Sequence, residues 1–281
     1  GGYGTGSGAG WAAGLTLWSA ETERTFDGQP RVDVNGSDLA TLYDEVATRI
    51  DEETARFVVA YRQFGPSGSG TTAGMSPMGE LDLSRPAAYR IERLLDLVDT
   101  QVAAMFLGDA SARMMISPLA NADRDADAAE RLHRVMDQLT TGGPRRVGRL
   151  NVNTAPEYLL RGVPGLDTET VTQIVTRRAA GDRAADATRQ SAAWLYTEKL
   201  VSLDTMKTLV GSLTGGGDVF RAQVIGRARR GASIRAEVVV EGGPRGGRVL
   251  SWTDLQMLGL IADPDGTGLG DGASSLPRST L

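Results

Sequence analysis

Apolar positions along the chain follow two rhythms, separated by the Gly215-Gly216-Gly217 break. Upstream, Ile91, Leu94, Leu95, Val98, Val102, Met105 and Phe106 recur near i, i+3, i+4, i+7 and predict a helix; Leu132, Val135, Met136 and Leu139 predict another. Downstream, Phe220, Ala222 and Val224 alternate with Arg221 and Gln223, and Ile234, Ala236, Val238 and Val240 alternate with Arg235, Glu237 and Val239. Alternation of this kind predicts half-buried strands. Arg230-Gly231 is the candidate turn between them, and Arg248-Val249-Leu250-Ser251-Trp252 is a candidate third strand. The expected fold class is α+β, helical up to residue 213 and antiparallel sheet after it. Segments 1–10, 65–79 and 263–281 are rich in Gly, Ser, Thr and Pro and are expected to be poorly ordered.

The helical part repeats itself. Arg31-Val-Asp-Val-Asn35 is echoed by Arg149-Leu-Asn-Val-Asn153, and each run is followed by a helical stretch, an acidic corner and a second helix. In that second helix Asp51 aligns with Asp167, Ala55 with Val171, Val58 with Ile174, Val59 with Val175 and Arg62 with Arg178, the apolar members sharing one face. In the second copy Thr154 and Glu157 have capping-box spacing and Pro156 falls in the first turn, so a helix is expected to begin there. The chain should then turn at Gly162-Val163-Pro164-Gly165 and restart at Asp167 as N-cap, giving a helix-hairpin-helix.

Composition excludes more than it proves. With 281 residues, 41% of them hydrophobic, and no cysteine, the chain has apolar material for one large or two modest cores without disulfides or thiolate metal sites. A net charge of -5 repels nucleic acid as a whole, so any DNA contact would need a local basic patch. The single histidine, His133, lies between Leu132 and Arg134 and reads as a solvated helix residue; no Ser/His/Asp group, Walker loop or paired His zinc site can be assembled. The chain is therefore not expected to be an enzyme. Trp11, Trp18, Trp194 and Trp252 read as core or interface anchors. Asp263, Asp265 and Asp271, set among glycines, are the candidate ligands for a hard cation such as calcium, although the EF-hand spacing and terminal glutamate are missing.

The run Leu150-Asn-Val-Asn-Thr-Ala-Pro156, with Leu160, Val163-Pro-Gly-Leu166 and Ile174-Val-Thr-Arg177, resembles the general secretion pathway protein K family. Phe220 to Gly226 and Arg248 to Asp254 are similar to that family's later strands, and Leu15-Thr-Leu-Trp18 with Asp27-Gly-Gln-Pro-Arg31 matches its entry segment more loosely. The resemblance implies a minor pseudopilin at the tip of a type II secretion pseudopilus, working through other minor pseudopilins on the periplasmic side of the inner membrane. It also implies a membrane-anchored N-terminal helix, a small α/β head and a large helical insertion that obstructs further stacking. Calcium is known in that family. Gly1 opens the chain and no stretch reaches the roughly 18 apolar residues of a membrane span, so an N-terminal segment is expected to have been removed. On this reading residues 1–30 and 214–281 form the head, 31–140 the first helical unit and 141–213 the second.

Hairpins of this kind also bind DNA, and competence proteins carry a similar Asn-x-Asn-Thr-Ala stretch. The motif residues Asn151, Asn153, Thr154, Gly162, Pro164, Gly165 and Asp167 serve either reading. Phosphate capture needs free N–H groups at a helix start. Gly165 favours it, whereas Asp167 and Glu169 oppose it, and the first copy's corner, Thr48 to Glu53, has three acids and no glycine. Arg145, Arg146, Arg149, Arg161, Arg177 and Arg178 are the candidate phosphate contacts if DNA is the ligand. A third possibility is a binding module whose ligand sits between the two helical units.

Overall fold

The computed structural model describes residues 18, 20–21, 23–69, 79–143, 148–179, 187–227, 233–242 and 246–255. They fall into two compact units. The larger spans 19–219 with 242–246; the smaller holds, among the described residues, 18, 220–227, 233–241 and 247–255.

In the larger unit, β1 (Val32–Asp33) leads into α1 (Leu39–Arg49) and α2 (Glu52–Phe64). Asp38 caps α1 by accepting the Ala40 and Thr41 N–H groups at 3.0 and 3.1 Å, and Asp51 caps α2 by accepting Thr54 N–H at 2.7 Å. Helix α1 buries Leu39, Leu42 and Val46; α2 is buried along nearly its whole length, Phe57, Val58, Val59 and Ala60 included. A small sheet of β2 (Gly68–Ser69), β3 (Thr100–Ala104) and β4 (Arg113–Ile116) follows, antiparallel throughout and in that order. Helix α3 (Ala126–Gln138) then delivers β5 (Leu139–Thr140), which runs parallel to β1.

The chain next repeats this path in shorter form. Strand β6 (Leu150–Asn151) leads to α4 (Glu157–Leu160) and α5 (Thr168–Ala179), then α6 (Trp194–Thr197), α7 (Leu203–Leu209) and β7 (Leu213–Thr214), with β7 parallel to β6. The correspondence reaches individual bonds. Val34 N–H donates to Thr140 O and Val152 N–H to Thr214 O, both at 2.9 Å. Thr140 Oγ1 accepts Gly142 N–H at 3.2 Å, and Thr214 Oγ1 accepts Gly216 N–H at 3.3 Å. Buried side chains from Val32 through Leu213 form one hydrophobic cluster, so the two copies share a core.

The stretch 91–106 differs from the helix its spacing predicts. It is a 3-10 turn over Leu94–Leu97, then an extended Val98, then strand β3. Asp99 adopts a left-handed φ of 54° that ends the turn, and from Thr100 burial alternates residue by residue as a strand requires. Of the segment expected to be poorly ordered at 65–79, residues 65–69 and 79 are described, and Gly68–Ser69 pair with β3. Residues 1–10, 70–78 and 263–281 lie outside the described residues.

The smaller unit is a three-stranded sheet in the order β10 (Arg248–Asp254), β9 (Ser233–Glu241), β8 (Val219–Arg227), as the alternation predicted. Strands β9 and β10 are antiparallel, with Val249 opposite Val240 and Trp252 opposite Val238; Leu250 is an extra residue at a bulge between Val249 and Ser251. Arg221 pairs with Glu237 at 2.6 Å and Arg235 donates to Gln223 at 2.8 Å, which sets these four residues on one face. Phe220, Val224, Ile234, Val249 and Trp252 are on the other, 58%, 51%, 58%, 58% and 64% exposed, while Arg235 and Val239 are buried. On that apolar face Ala236 is buried and Val238 and Val240 are half-buried, so its exposure is concentrated at Phe220, Val224, Ile234, Val249 and Trp252. The fold is α+β, with helices and antiparallel sheets, and no helix among the described residues is long and apolar enough to cross a membrane.

Candidate functional site

The paired asparagines that begin each copy are structural clamps. Asn153, 6% exposed, donates through Nδ2 to Arg189 O at 2.6 Å and Gly215 O at 2.7 Å, and its Oδ1 accepts Trp194 Nε1–H at 3.1 Å. Asn35 does the same from the first copy: Nδ2 donates to Ile91 O and Thr141 O, and Oδ1 accepts Ile91 N–H, each at 3.0 Å. Two residues earlier, Asp33 Oδ1 accepts Asn35 N–H and Asn151 Oδ1 accepts Asn153 N–H, both at 2.9 Å. One side chain in each copy therefore ties the first strand to the loop after the parallel partner strand.

The aligned arginines are clamps too. Arg62, 4% exposed, donates to Val34 O, to Gly36 O at 3.1 Å and to Tyr89 O at 2.7 Å. Burial pulls its guanidinium below the ordinary value. Arg178 donates to Val152 O at 3.1 Å and Ala155 O at 2.6 Å. In both copies the second helix of the hairpin thus satisfies carbonyls just after the first strand.

The hairpin turn of the second copy is a type II turn: Pro164 at its second position, Gly165 at its third with φ 93°, and Leu166 N–H donating to Val163 O at 3.2 Å. A Cβ on Gly165 would stand 3.7 Å from Leu209 Cδ2, so backbone angle rather than space calls for glycine. Gly162 and Pro164 are exposed, and Gly162 N–H donates to Leu159 O at 3.1 Å. Asp167 Oδ1 accepts Thr170 N–H at 2.7 Å, and this bond holds its carboxyl below the usual range. The expected capping box does not form. Helix α4 starts at Glu157 behind an extended Pro156 with no side-chain cap, Thr154 is exposed, and Asn151 O takes the Thr154 and Ala155 N–H groups at 3.1 and 2.8 Å.

In the first copy Arg131 pairs with Asp51 at 2.8 Å and approaches Glu53 at 3.6 Å, while Arg134 donates to Arg49 O at 3.1 Å and to Ile50 O. Burial opposes ionisation of Asp51, but Thr54 N–H and Arg131 outweigh it and its carboxyl ionises below the usual range. Both hairpin corners therefore carry an ionised aspartate on an N–H that a phosphate would use.

The four candidate phosphate contacts among the described residues, Arg149, Arg161, Arg177 and Arg178, are engaged within the protein. Arg149 forks onto Glu21 and donates to Val210 O at 3.1 Å; Arg161 pairs with Glu157 at 2.5 Å; Arg177 donates to Glu198 O at 2.9 Å and pairs with its carboxylate at 3.2 Å. Arg189 shares Glu198 and stacks on the Trp194 ring at 4.0 Å. Arg145 and Arg146 lie outside the described residues, as do Asp263, Asp265 and Asp271. Among the described residues no group of three acidic or histidine side chains is placed to hold a metal.

His133 is half-buried rather than solvated, its Nε2 3.2 Å from Thr197 Oγ1. Trp194 is fully buried, whereas Trp18 and Trp252 are 42% and 64% exposed. Sequence reasoning missed Glu21, whose carboxylate holds both Arg149 and Thr214 Oγ1. It also missed the closing strand of each copy, whose signal was present as Leu139-Thr140-Thr141-Gly142-Gly143 against Leu213-Thr214-Gly215-Gly216-Gly217. In comparisons with protein-family models, curated protein sequences and solved structures, nothing matches the chain.

Proposed function

We propose that this chain is a non-enzymatic assembly subunit, a minor pseudopilin of a type II secretion apparatus that packs against other minor pseudopilins at the pseudopilus tip. The observation that carries the reading is the apolar sheet face of the smaller unit, where Phe220, Val224, Ile234, Val249 and Trp252 are each about half exposed or more. Exposed apolar side chains gathered on one sheet face in this way suit a protein partner. Further support comes from chain order, because the larger unit interrupts the chain between Trp18 and the strands grouped with it. The engaged arginines and acid-capped corners disfavour the DNA-receptor alternative.

The test is co-elution of the chain with minor pseudopilin heads of the same source on size exclusion, for wild type, Trp252→Arg and Ile234→Glu. Wild type should form a stoichiometric complex, and each variant should weaken it at least tenfold while keeping its far-ultraviolet circular dichroism. Unchanged complex formation by both variants would remove the sheet face from the interface.

A further inference from the structure

Asn35 and Asn153 hold the two copies with matching bonds, but the residues that follow them differ. Gly36 follows Asn35 in the one Asn-Gly pair of the sequence, whereas Thr154 follows Asn153. An asparagine amide is attacked by the next residue's backbone nitrogen most readily when that residue is glycine, which puts no side chain in the way and lets the backbone bend into the five-membered ring. A β-branched threonine crowds the same approach. The chemistry therefore marks Asn35 and spares Asn153.

In the folded chain the groups this reaction needs are held. The nucleophile, Gly36 N–H, donates to Asp33 O at 3.1 Å. The leaving group, Asn35 Nδ2, donates to Ile91 O and Thr141 O, and Oδ1 accepts Ile91 N–H, each at 3.0 Å. Arg62 fixes Gly36 O at 3.1 Å, and Asp33 Oδ1 accepts Asn35 N–H at 2.9 Å. Ring closure requires the amide to leave Ile91 and Thr141 and Gly36 N–H to leave Asp33 O, so it waits for a local opening of the chain around Asn35. We infer that Asn35 is a conformationally gated deamidation site, silent while the first copy is closed and reactive once it opens. In the open chain Gly36 N gives up its proton and bonds to Asn35 Cγ, the Cγ–Nδ2 bond breaks, and ammonia leaves with a proton. Water then opens the succinimide at either carbonyl, leaving aspartate or isoaspartate at position 35. Neither product can donate to Ile91 O and Thr141 O, and an ionised carboxylate there faces two carbonyl oxygens, so the clamp does not re-form. Deamidation thus records each opening of the first copy irreversibly. The site does not depend on the assembly role.

The experiment follows deamidation of the full chain by peptide mass mapping at mildly alkaline pH, in native buffer and in guanidinium chloride, for wild type and Gly36→Ala. Gly36 has no positive φ, and a Cβ there would meet Asp33 O at 3.4 Å, so alanine fits the native backbone. Position 35 of wild type should deamidate at least about tenfold faster in denaturant than in native buffer, with position 153 slow in both. Gly36→Ala should lose most of the denatured-state reaction, a readout that holds whether or not the variant folds. Wild type aged in denaturant and returned to native buffer should melt below unaged wild type taken through the same cycle. Equal rates at position 35 in native and denatured chain, an undiminished rate in Gly36→Ala, or a modified chain that melts like the unmodified one overturns the inference.

Discussion

Asn35 and Asn153 show how much of this fold rests on single side chains. Each spends both amide hydrogens and its oxygen on groups distant in sequence, and Asn153 does so almost fully buried. Truncation leaves buried carbonyls and an indole N–H without partners, and an unsatisfied buried group costs about 1–3 kcal/mol. Asn153→Ala should therefore lower stability in urea denaturation by about 3 kcal/mol, with Asn35→Ala less affected because it is only half-buried. A loss under about 0.5 kcal/mol for Asn153→Ala would contradict the clamp. Asp51 supplies a pH-dependent counterpart. Its carboxyl ionises below the ordinary aspartate range in the folded chain, so its contribution is complete above the unfolded value and fades as pH falls through the folded one. The Tm gap between wild type and Asp51→Asn should shrink from pH 6 to pH 2.5; a gap that stays constant would show that ionisation is not involved.

The hairpins were legible as elements because their punctuation is chemical. Asp51 and Asp167 announced helix starts, and both carboxylates do accept the N–H three residues on. Pro164-Gly165 announced a turn, which forms with Gly165 at φ 93°. Alanine there would be strained at that angle although it has room, so Gly165→Ala should cost about 1–2 kcal/mol by thermal melting; a neutral result would mean that the turn re-forms with another geometry. Strand β3 was not legible, because Leu94, Leu95, Val98 and Val102 satisfy helical spacing over a run too short to exclude a strand. What decides is Asp99 in a left-handed conformation, with its side chain accepting Asn121 N–H at 2.8 Å from the far side of the β3–β4 hairpin. No local pattern encodes that contact. The cap at α4 failed for a related reason: Asn151 O already takes the Thr154 N–H that the Glu157 side chain was expected to accept.

At the scale of the whole molecule, the repeat was visible in sequence only where strand and hairpin residues align. The strands that close each copy, β5 and β7, were too short for periodicity to register, and their pairing depends on contacts across the full copy. Pairing of Arg149 with Glu21 across 128 positions was beyond sequence reach for the same reason. The three-stranded sheet was legible in its strands and not in its facing, since alternation marks two faces without saying which is covered. The exposed apolar side chains of that sheet and the engaged arginines together support the proposal that the chain assembles with pseudopilins rather than capturing DNA. The most direct test is calorimetric titration of the full chain with separately purified minor pseudopilin heads, with and without calcium, beside a low-salt titration with duplex DNA. A saturable one-to-one complex with a pseudopilin head and no heat with DNA is the predicted result. Salt-sensitive DNA binding with no pseudopilin complex would contradict the account.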